Sequence, residues 1–197
     1  VVRPPALRAR LMTFDEGPTR ALPGIIDIVR DGSFLAVVAE REEQAIRAWR
    51  QLKQDTQWEI LGQLPDMHTL PEFLTTAPNE IEILSDTPEK TPQSETGGSH
   101  RARYTRPYVS HASIGPSCGL AWLQSQRLEV WTHSQSLYAL RDEMAKLLNK
   151  PSQDIVVRHA QGAGCYGHNG ADDVAFDAAL IAMALPGQPI RVQWMRE

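Results

Sequence analysis

The sequence predicts an α+β fold in which helices flank a mixed β-sheet. Short segments rich in β-branched and apolar residues alternate with turns that contain glycine, proline or aspartate, as in the strands of a sheet. Longer segments repeat apolar residues every three or four positions, as in helices. A polar stretch with several prolines and glycines near the middle of the chain divides these elements into two groups.

The first group is predicted to be a strand, a hairpin and one covering helix. Residues 7–11 alternate between apolar residues and arginine, which indicates a half-buried strand. Segments 25–29 and 34–39 are β-rich and flank an Asp-Gly pair, which is a hairpin signal. Residues 41–53 repeat apolar side chains at helical spacing, with glutamates in the first turn, where the helix dipole favours them. A further strand is expected at 80–84.

The polar stretch at residues 85–100 has the composition of a linker, because it combines prolines, glycines and charged residues with almost no apolar side chain. We therefore predict two domains, at 1–84 and 101–197. The second domain is expected to contain both strands and helices. Its predicted strands lie at 101–108, 119–123, 128–132, 155–159 and 190–195, and its predicted helices at 136–149 and 171–185.

Bulk composition excludes some classes of function. The net charge of −4 gives no electrostatic reason to expect a nucleic-acid partner. The longest apolar stretch, at 178–185, is far shorter than the roughly 20 residues that cross a bilayer, so we expect no membrane span. Two cysteines are too few for a disulfide framework. The chain begins and ends abruptly in predicted strands, so we expect a fragment of a longer polypeptide.

The strongest candidate site is a glycine-rich turn at residues 162–170, between a predicted strand and a predicted helix. Glycines at this density let the backbone adopt positive φ and approach a ligand, and N–H groups near a helix N-terminus hold anions. A phosphate contact is one interpretation. Gly162, Gly164 and Gly167 also match a dinucleotide-binding fingerprint, although the loop continues beyond it before helical periodicity begins. A purely structural connection is the third interpretation.

Other candidates have a structural interpretation beside the functional one. Asp172 and Asp173 could bind a metal ion, but acids at the start of a helix are typical caps. Gln135 follows a predicted strand, and its neutral amide could donate to an oxygen of a ligand or simply bond the backbone. His111 and Cys118 could pair as base and nucleophile, but no spacing supports this, and a buried thiol is commoner.

These residues together resemble a known family. In the first half, a Leu-Pro-Gly turn, a hairpin and a helix that ends before Trp58 resemble the α/β hammerhead domain in large subunits of the xanthine dehydrogenase and aldehyde oxidase family. Residues 104–116, 130–135 and 164–173 are similar to the start of the molybdopterin-binding region of its nicotinate dehydrogenase type. The resemblance covers almost the whole chain. It implies a hammerhead-like domain at 1–84, a linker at 85–100 and the N-terminal part of a molybdopterin-binding domain at 101–197.

The resemblance implies cofactor-binding roles for particular residues. Gln135 matches the glutamine that hydrogen-bonds an oxo ligand of molybdenum, so no direct metal ligand is expected in the chain. The glycine turn matches the loop that approaches the molybdenum centre, although Cys165 and Tyr166 replace the usual glycine and phenylalanine. A second departure is Gly115, where many relatives carry glutamate. The implied cofactor-binding residues are Gln135, Gly164, Cys165, Tyr166, Gly167 and His168.

The resemblance also implies the activity of the whole enzyme. That enzyme is a molybdenum-dependent oxidoreductase, which hydroxylates an N-heterocycle or an aldehyde with water as the oxygen source. Its cofactor is molybdenum-molybdopterin, with a cytosine dinucleotide form as one option. Its implied partners are a small-molecule substrate, a subunit that carries [2Fe-2S] iron–sulfur clusters, and a cytochrome or other electron acceptor.

The family's catalytic glutamate is expected beyond Glu197, so no catalytic residue is expected in this chain. We therefore predict that the chain is inactive by itself. A cytoplasmic location is expected, with a periplasmic one as the alternative. The alternative functions are a nucleotide-binding Rossmann-like module that uses Gly162, Gly164 and Gly167, and a non-catalytic interaction domain.

Overall fold

The computed structural model describes residues 1–86, 100–169 and 174–195. The chain divides into two compact units, of which unit 1 comprises Val1–Gln63 with His111–Glu197 and unit 2 comprises Leu64–Ser110. The strands are β1 (Arg8–Phe14), β2 (Ile25–Asp31), β3 (Phe34–Ala39), β4 (Thr56–Gly62), β5 (Cys118–Gln124), β6 (Arg127–Thr132), β7 (Ile155–His159) and β8 (Pro189–Gln193). The α-helices are α1 (Gly17–Arg20), α2 (Glu42–Gln54), α3 (Leu70–Thr76), α4 (Leu137–Leu147) and α5 (Val174–Ala184), with a short 3₁₀ turn at Ser152–Asp154.

The hairpin of β2 and β3 forms as the sequence predicts, with antiparallel pairing across the Asp-Gly turn. Gly24, just before β2, has a φ of 76°, and a Cβ there would lie only 2.2 Å from the side chain of Gln44. Gln44 itself accepts a hydrogen bond from the backbone N–H of Arg41 at 3.1 Å, which caps the first turn of α2. The start of the hairpin and the start of α2 are therefore fixed against each other.

The helix predicted at 41–53 is confirmed as α2, and it packs on the hairpin through its apolar face. Ala48 and Leu52 are fully buried, and they share a core with Leu35 and Val37 of β3. Burial of a leucine side chain stabilises a fold by roughly 1.5–3 kcal/mol, so this small core holds the hairpin and helix together.

Three segments differ from the sequence prediction. The pattern did not predict β4, which pairs antiparallel with β1, because its apolar residues do not alternate cleanly. The strands predicted at 80–84 and 101–108 are wrong, since both segments have no regular secondary structure. Ile81 is 84% exposed and Tyr104 is 91% exposed. Alternating apolar residues form a strand only when a partner strand and a core receive them, and among the described residues these segments have neither.

Among the described residues, unit 2 contains the helix α3 beside segments without regular structure. Within this unit, Tyr108 donates a hydrogen bond to the carbonyl oxygen of Pro65 at 3.3 Å. Arg103 donates to the carbonyl oxygen of Pro71 at 3.4 Å. Residues 87–99 lie outside the described residues, so the predicted division into domains at 85–100 stays a prediction.

A four-stranded sheet with the order β7-β6-β5-β8 occupies the second half of the chain. β5 pairs antiparallel with both β6 and β8, whereas β6 pairs parallel with β7. A parallel pair requires a crossover connection, which α4 supplies between β6 and β7. This is the mixed sheet with flanking helices that the α+β prediction requires.

Helix α5 packs closely on the sheet because the residues at the contact are small. A Cβ on Gly119 of β5 would lie 2.9 Å from the Cα of Ala175, so only glycine allows the helix to come this near. The described part of α5 starts at Val174, and residues 170–173 of the predicted helix and turn lie outside the described residues. The alanines of α5 that are fully buried are Ala175, Ala178, Ala179 and Ala182.

The hairpin and the sheet share one buried core within unit 1. Val29 and Ala36 of the hairpin belong to the same apolar cluster as Val130 of β6. The nearly buried carboxylate of Asp177 on α5 accepts from Arg3 at 2.5 Å and from the indole N–H of Trp194 at 3.0 Å. Among the described residues, no helix is both long and apolar enough to cross a membrane.

Candidate functional site

The parallel pairing of β6 and β7 brings two predicted site segments to one edge of the sheet. The carboxyl ends of parallel strands point the same way, and Thr132 pairs with His159 at that end. The backbone N–H of Ala160 continues the ladder to the carbonyl oxygen of Thr132 at 2.8 Å. The segment 133–135 and the turn 161–169 therefore leave the sheet side by side.

Two further strands reach the same edge. Because β5 is antiparallel to β6 and β8, its first residue, Cys118, lies opposite Gln193 near the end of β8. The segment that leads into β5 and the segment that follows β8 thus also meet at this edge. Edges at the carboxyl ends of parallel strands are common ligand sites in α/β proteins.

Asn169 ties the two predicted segments together. Its side chain is 6% exposed, and its Nδ2 donates to the carbonyl oxygen of His133 at 3.0 Å. Its own carbonyl oxygen accepts from Ser134 Oγ and from the backbone N–H of Gln135, both at 3.3 Å. No described group donates to the buried Asn169 Oδ1, and an unsatisfied buried acceptor costs about 1–3 kcal/mol.

Glycines allow the surrounding segments to approach one another. A Cβ on Gly162 would lie 2.9 Å from the Cβ of His133, and a Cβ on Gly115 would lie 2.6 Å from the Cβ of Ala163. Both distances are too short for real side chains. Gly115, which departs from the family's usual glutamate, therefore packs directly against the glycine turn.

The turn itself has an exposed backbone with unusual conformations. Gly164 and Gly167 have φ values of 103° and 92°, in a region that other residues rarely adopt. Tyr166 between them also has a positive φ, of 52°, and its side chain is 61% exposed. Locally, the backbone N–H of His168 donates to the carbonyl oxygen of Cys165 at 3.0 Å. The peptide groups on this face are accessible to a ligand.

Aromatic side chains from three segments meet beside the turn. The rings of His111 and His168 have centroids 5.4 Å apart, and the indole of Trp194 lies 6.3 Å from His168. The sequence pattern did not predict this group, because its members come from segments far apart in the chain. His168 was predicted as a site residue, and the structure places it between the other two rings.

The environment of Cys118 does not activate its thiol as a nucleophile. Burial raises the pKa of the Cys118 thiol, so the thiol is protonated at neutral pH. Its backbone N–H donates a hydrogen bond to His133 Nε2 at 3.4 Å. The structure thus agrees with the interpretation of Cys118 as a half-buried structural thiol.

The Rossmann alternative is wrong. A Rossmann fingerprint requires the helix to begin within the segment from Gly162 to Gly167, whereas the whole of 160–169 is non-helical. Asp172 and Asp173, predicted as helix caps, lie outside the described residues.

The family model for the molybdopterin cofactor-binding domain matches residues 92–197. The chain belongs to the molybdopterin cofactor-binding domain family. Its match includes Gln135, the glycine turn and Asn169, so the sheet edge described above lies inside the molybdopterin-binding domain.

Curated relatives agree with this family. The chain is 38% identical to a nicotinate dehydrogenase subunit from Pseudomonas putida over 189 residues, which is 95% of the chain and 16% of that relative. It is 28% identical to the aldehyde oxidoreductase molybdenum-binding subunit PaoC of Escherichia coli O157:H7 over 129 residues, which is 60% of the chain and 18% of that relative. The chain thus spans less than a fifth of each relative. Together with the family match, this identity confirms the predicted resemblance to the molybdopterin-binding subunit of the xanthine dehydrogenase and aldehyde oxidase family, nicotinate dehydrogenase-like type.

Solved structures share the fold. Quinoline 2-oxidoreductase from Pseudomonas putida 86 superposes with a TM-score of 0.69 and 21% identity, over 98% of this chain and 30% of that one. The aldehyde oxidoreductase from Desulfovibrio gigas superposes with a TM-score of 0.64 and 16% identity, over 98% of this chain and 26% of that one. These likenesses confirm the predicted α+β fold.

The residues of the molybdopterin-binding domain fit an organic cofactor at the sheet edge. The glycine turn has an accessible backbone with positive φ, Gln135 is exposed beside it, and the Asn169 acceptor is buried between them. Within the described ranges, no group of three His, Cys, Asp or Glu side chains could hold a metal ion. The accessible turn and the neutral amide of Gln135 suit the organic part of a cofactor.

Proposed function

We propose that this chain forms one side of the molybdenum cofactor site in the catalytic large subunit of a molybdenum hydroxylase. The observation that carries the proposal is the convergence of Gln135 and the glycine turn at one sheet edge, joined through Asn169. The family match and the 38% identity to a nicotinate dehydrogenase subunit support the same function. The bound cofactor supplies the redox chemistry by which an N-heterocycle or an aldehyde is hydroxylated with oxygen from water.

In this proposal, the residues of this chain bind the cofactor and orient it. Gly164, Tyr166 and Gly167 are exposed and Cys165 is half-buried, so a ligand can approach the backbone of this turn within hydrogen-bond distance. The missing Cβ atoms at Gly164 and Gly167 leave room for the rings of Tyr166 and His111, which flank the turn. The amide of Gln135 is neutral, so it donates to an oxygen of the ligand without changing the charge of the site. His168 extends this surface toward Trp194.

The remaining components of the proposed enzyme lie outside the described chain. The cofactor is molybdenum-molybdopterin, with the cytosine dinucleotide form as one version, and a [2Fe-2S] subunit passes electrons to a cytochrome or another acceptor. The general base is a glutamate beyond Glu197, so this chain does not catalyse hydroxylation by itself. We propose a cytoplasmic location, with the periplasm as the alternative.

The test is cofactor content in the full-length protein, purified with its proposed iron–sulfur partner. Molybdenum is measured by elemental analysis, and pterin is measured as its fluorescent oxidised derivative. We expect both in the wild type and a clear loss of both in Gln135→Ala. Gln126→Ala is the matched control, because Gln126 is also exposed but lies in the turn at the opposite end of β6.

A well-folded wild-type protein without molybdenum or pterin would contradict the proposal and leave a non-catalytic interaction domain. Loss of cofactor in Gln126→Ala to the same extent as in Gln135→Ala would contradict the placement of the site at this sheet edge.

A further inference from the structure

Asn169 both donates and accepts hydrogen bonds across the proposed site. Its amide Nδ2 donates to the carbonyl oxygen of His133 at 3.0 Å, while its main-chain oxygen accepts from Ser134 Oγ and from Gln135 N. A carbonyl oxygen can only accept, so the bond to His133 fixes which end of the amide faces it. The result is a closed ring of contacts between Asn169 and three consecutive residues.

Other contacts among the described residues also bring the two segments together. The sheet fixes only the points at which they leave it, Thr132 and His159. The contact between Gly162 and His133 is a van der Waals contact, which limits the distance between the segments but does not set their orientation. Much of the turn between Ala160 and Asn169 is exposed, although Ala163 and His168 pack against neighbouring segments.

We propose that Asn169 is a positioning residue of the cofactor site, which holds the Gln135 amide and the glycine turn in one arrangement around the same ligand. The proposal rests on the proposed function, because it assigns a role within that same site. Asn169 itself is 6% exposed, and its described hydrogen bonds go to the segment 133–135. It acts through the backbone of Gln135 and through the end of the turn, and it therefore sets how long the cofactor stays bound.

The test compares pterin release from full-length variants purified with the proposed partner. Asn169→Ala removes the Nδ2 donor. Asn169→Asp keeps the size of the side chain but turns a carboxylate oxygen toward the carbonyl oxygen of His133. The readouts are the rate of pterin release after dilution and the melting temperature of each variant. The control is Val37→Ala, a buried residue of the core around α2, which lowers the melting temperature away from the site.

We expect both Asn169 variants to release pterin about tenfold faster than the wild type, as for the loss of roughly one buried hydrogen bond. Val37→Ala should release it at the wild-type rate despite a lower melting temperature. Release from Asn169→Ala at the wild-type rate would overturn the inference and leave the proposed function intact. Release that follows melting temperature alone across all variants, Val37→Ala included, would also overturn it. A wild type that holds no pterin would overturn the proposed function itself.

Ser134→Ala keeps the inference testable if the Asn169 variants do not fold. It removes the hydrogen bond from Ser134 Oγ to the carbonyl oxygen of Asn169. We expect faster pterin release in Ser134→Ala than in the wild type, because the link to the end of the turn is weakened. Release at the wild-type rate in Ser134→Ala would overturn the inference.

Discussion

The four-stranded sheet with α5 and the loops at its edge are built on different principles. In the sheet, apolar and small side chains are fully buried, and Gly119 brings the backbone of β5 against that of α5. At the edge, the glycine turn is exposed, has positive φ values, and is linked to Gln135 mainly through Asn169. The first region therefore provides stability, and the second is the region where we propose that the cofactor binds. Variants in the sheet should lose stability, whereas variants at the edge should lose cofactor.

The largest expected effect is in the sheet, for Leu128→Ala. Leu128 of β6 is 0% exposed within the shared core, so its truncation leaves a cavity and should lower the free energy of unfolding by about 3 kcal/mol. Urea unfolding of the 197-residue chain measures this loss. The control is Leu147→Ala on α4, where the side chain is 67% exposed. Equal losses of unfolding free energy in the two variants would contradict the assignment of Leu128 to the stabilising core.

Gly119→Ala tests the close approach of β5 and α5. The added Cβ would lie 2.9 Å from the Cα of Ala175 and 3.0 Å from the carbonyl oxygen of Val174, and backbone atoms cannot move aside as a flexible side chain can. We expect a loss of about 2 kcal/mol in urea unfolding. Gly62→Ala is the matched strand control, because its Cβ would meet only the Arg8 side chain, at 3.4 Å. A tolerated Gly119→Ala would mean that the helix can shift.

At the edge of the sheet, Gly164→Ala should have a smaller effect on folding and a larger one on binding. An alanine at its φ of 103° costs roughly 1–3 kcal/mol of backbone strain. Its Cβ would also lie 3.1 Å from the Tyr166 ring, but that side chain is exposed and can move aside. Gly187→Ala introduces similar strain at a φ of 85° with open space around the Cβ. We expect similar melting temperatures for the two full-length variants, but pterin loss only in Gly164→Ala. Equal pterin content in both would show that the turn does not approach the cofactor.

The smallest expected effect is that of Arg191→Gln. Arg191 on β8 pairs with Glu42 on α2, and this hydrogen bond raises the pKa of the guanidinium group. Both side chains are about half exposed, at 48% and 55%, so solvent screens the pair and the loss should be about 0.5 kcal/mol. The difference from wild type in urea unfolding should shrink further in concentrated salt. A loss that salt does not change would indicate a packing effect rather than an ionic one.

Periodicity predicted those parts of the fold that bury one regular face. It located the β2–β3 hairpin, α2 and the strands around α4, because burial there follows the spacing of apolar residues. It missed β4, and it predicted strands at 80–84 and 101–108, where no partner strand is present among the described residues. Apolar alternation shows which face a strand could bury, but it does not show whether a partner exists.

The sequence predicted which residues belong to the candidate site, but not that they lie close together. Gln135 and the glycine turn were identified from residue types and from the family resemblance. Their proximity depends on the parallel register of β6 and β7, which no local pattern reveals. The links made by Asn169 were missed because an asparagine after a glycine run is an ordinary turn residue. The contacts of His168 with His111 and Trp194 were missed because these residues are far apart in the chain.

The ion pair between Arg3 and Asp177 joins positions 174 residues apart. During synthesis, the first residues of the chain leave the ribosome long before their partner on α5 exists. The β2–β3 hairpin and α2 can form early from local contacts, but Val29 and Ala36 share their core with residues of α5, which are made much later. Until then, the apolar face of the hairpin is exposed in the nascent chain, where it can associate prematurely with other chains.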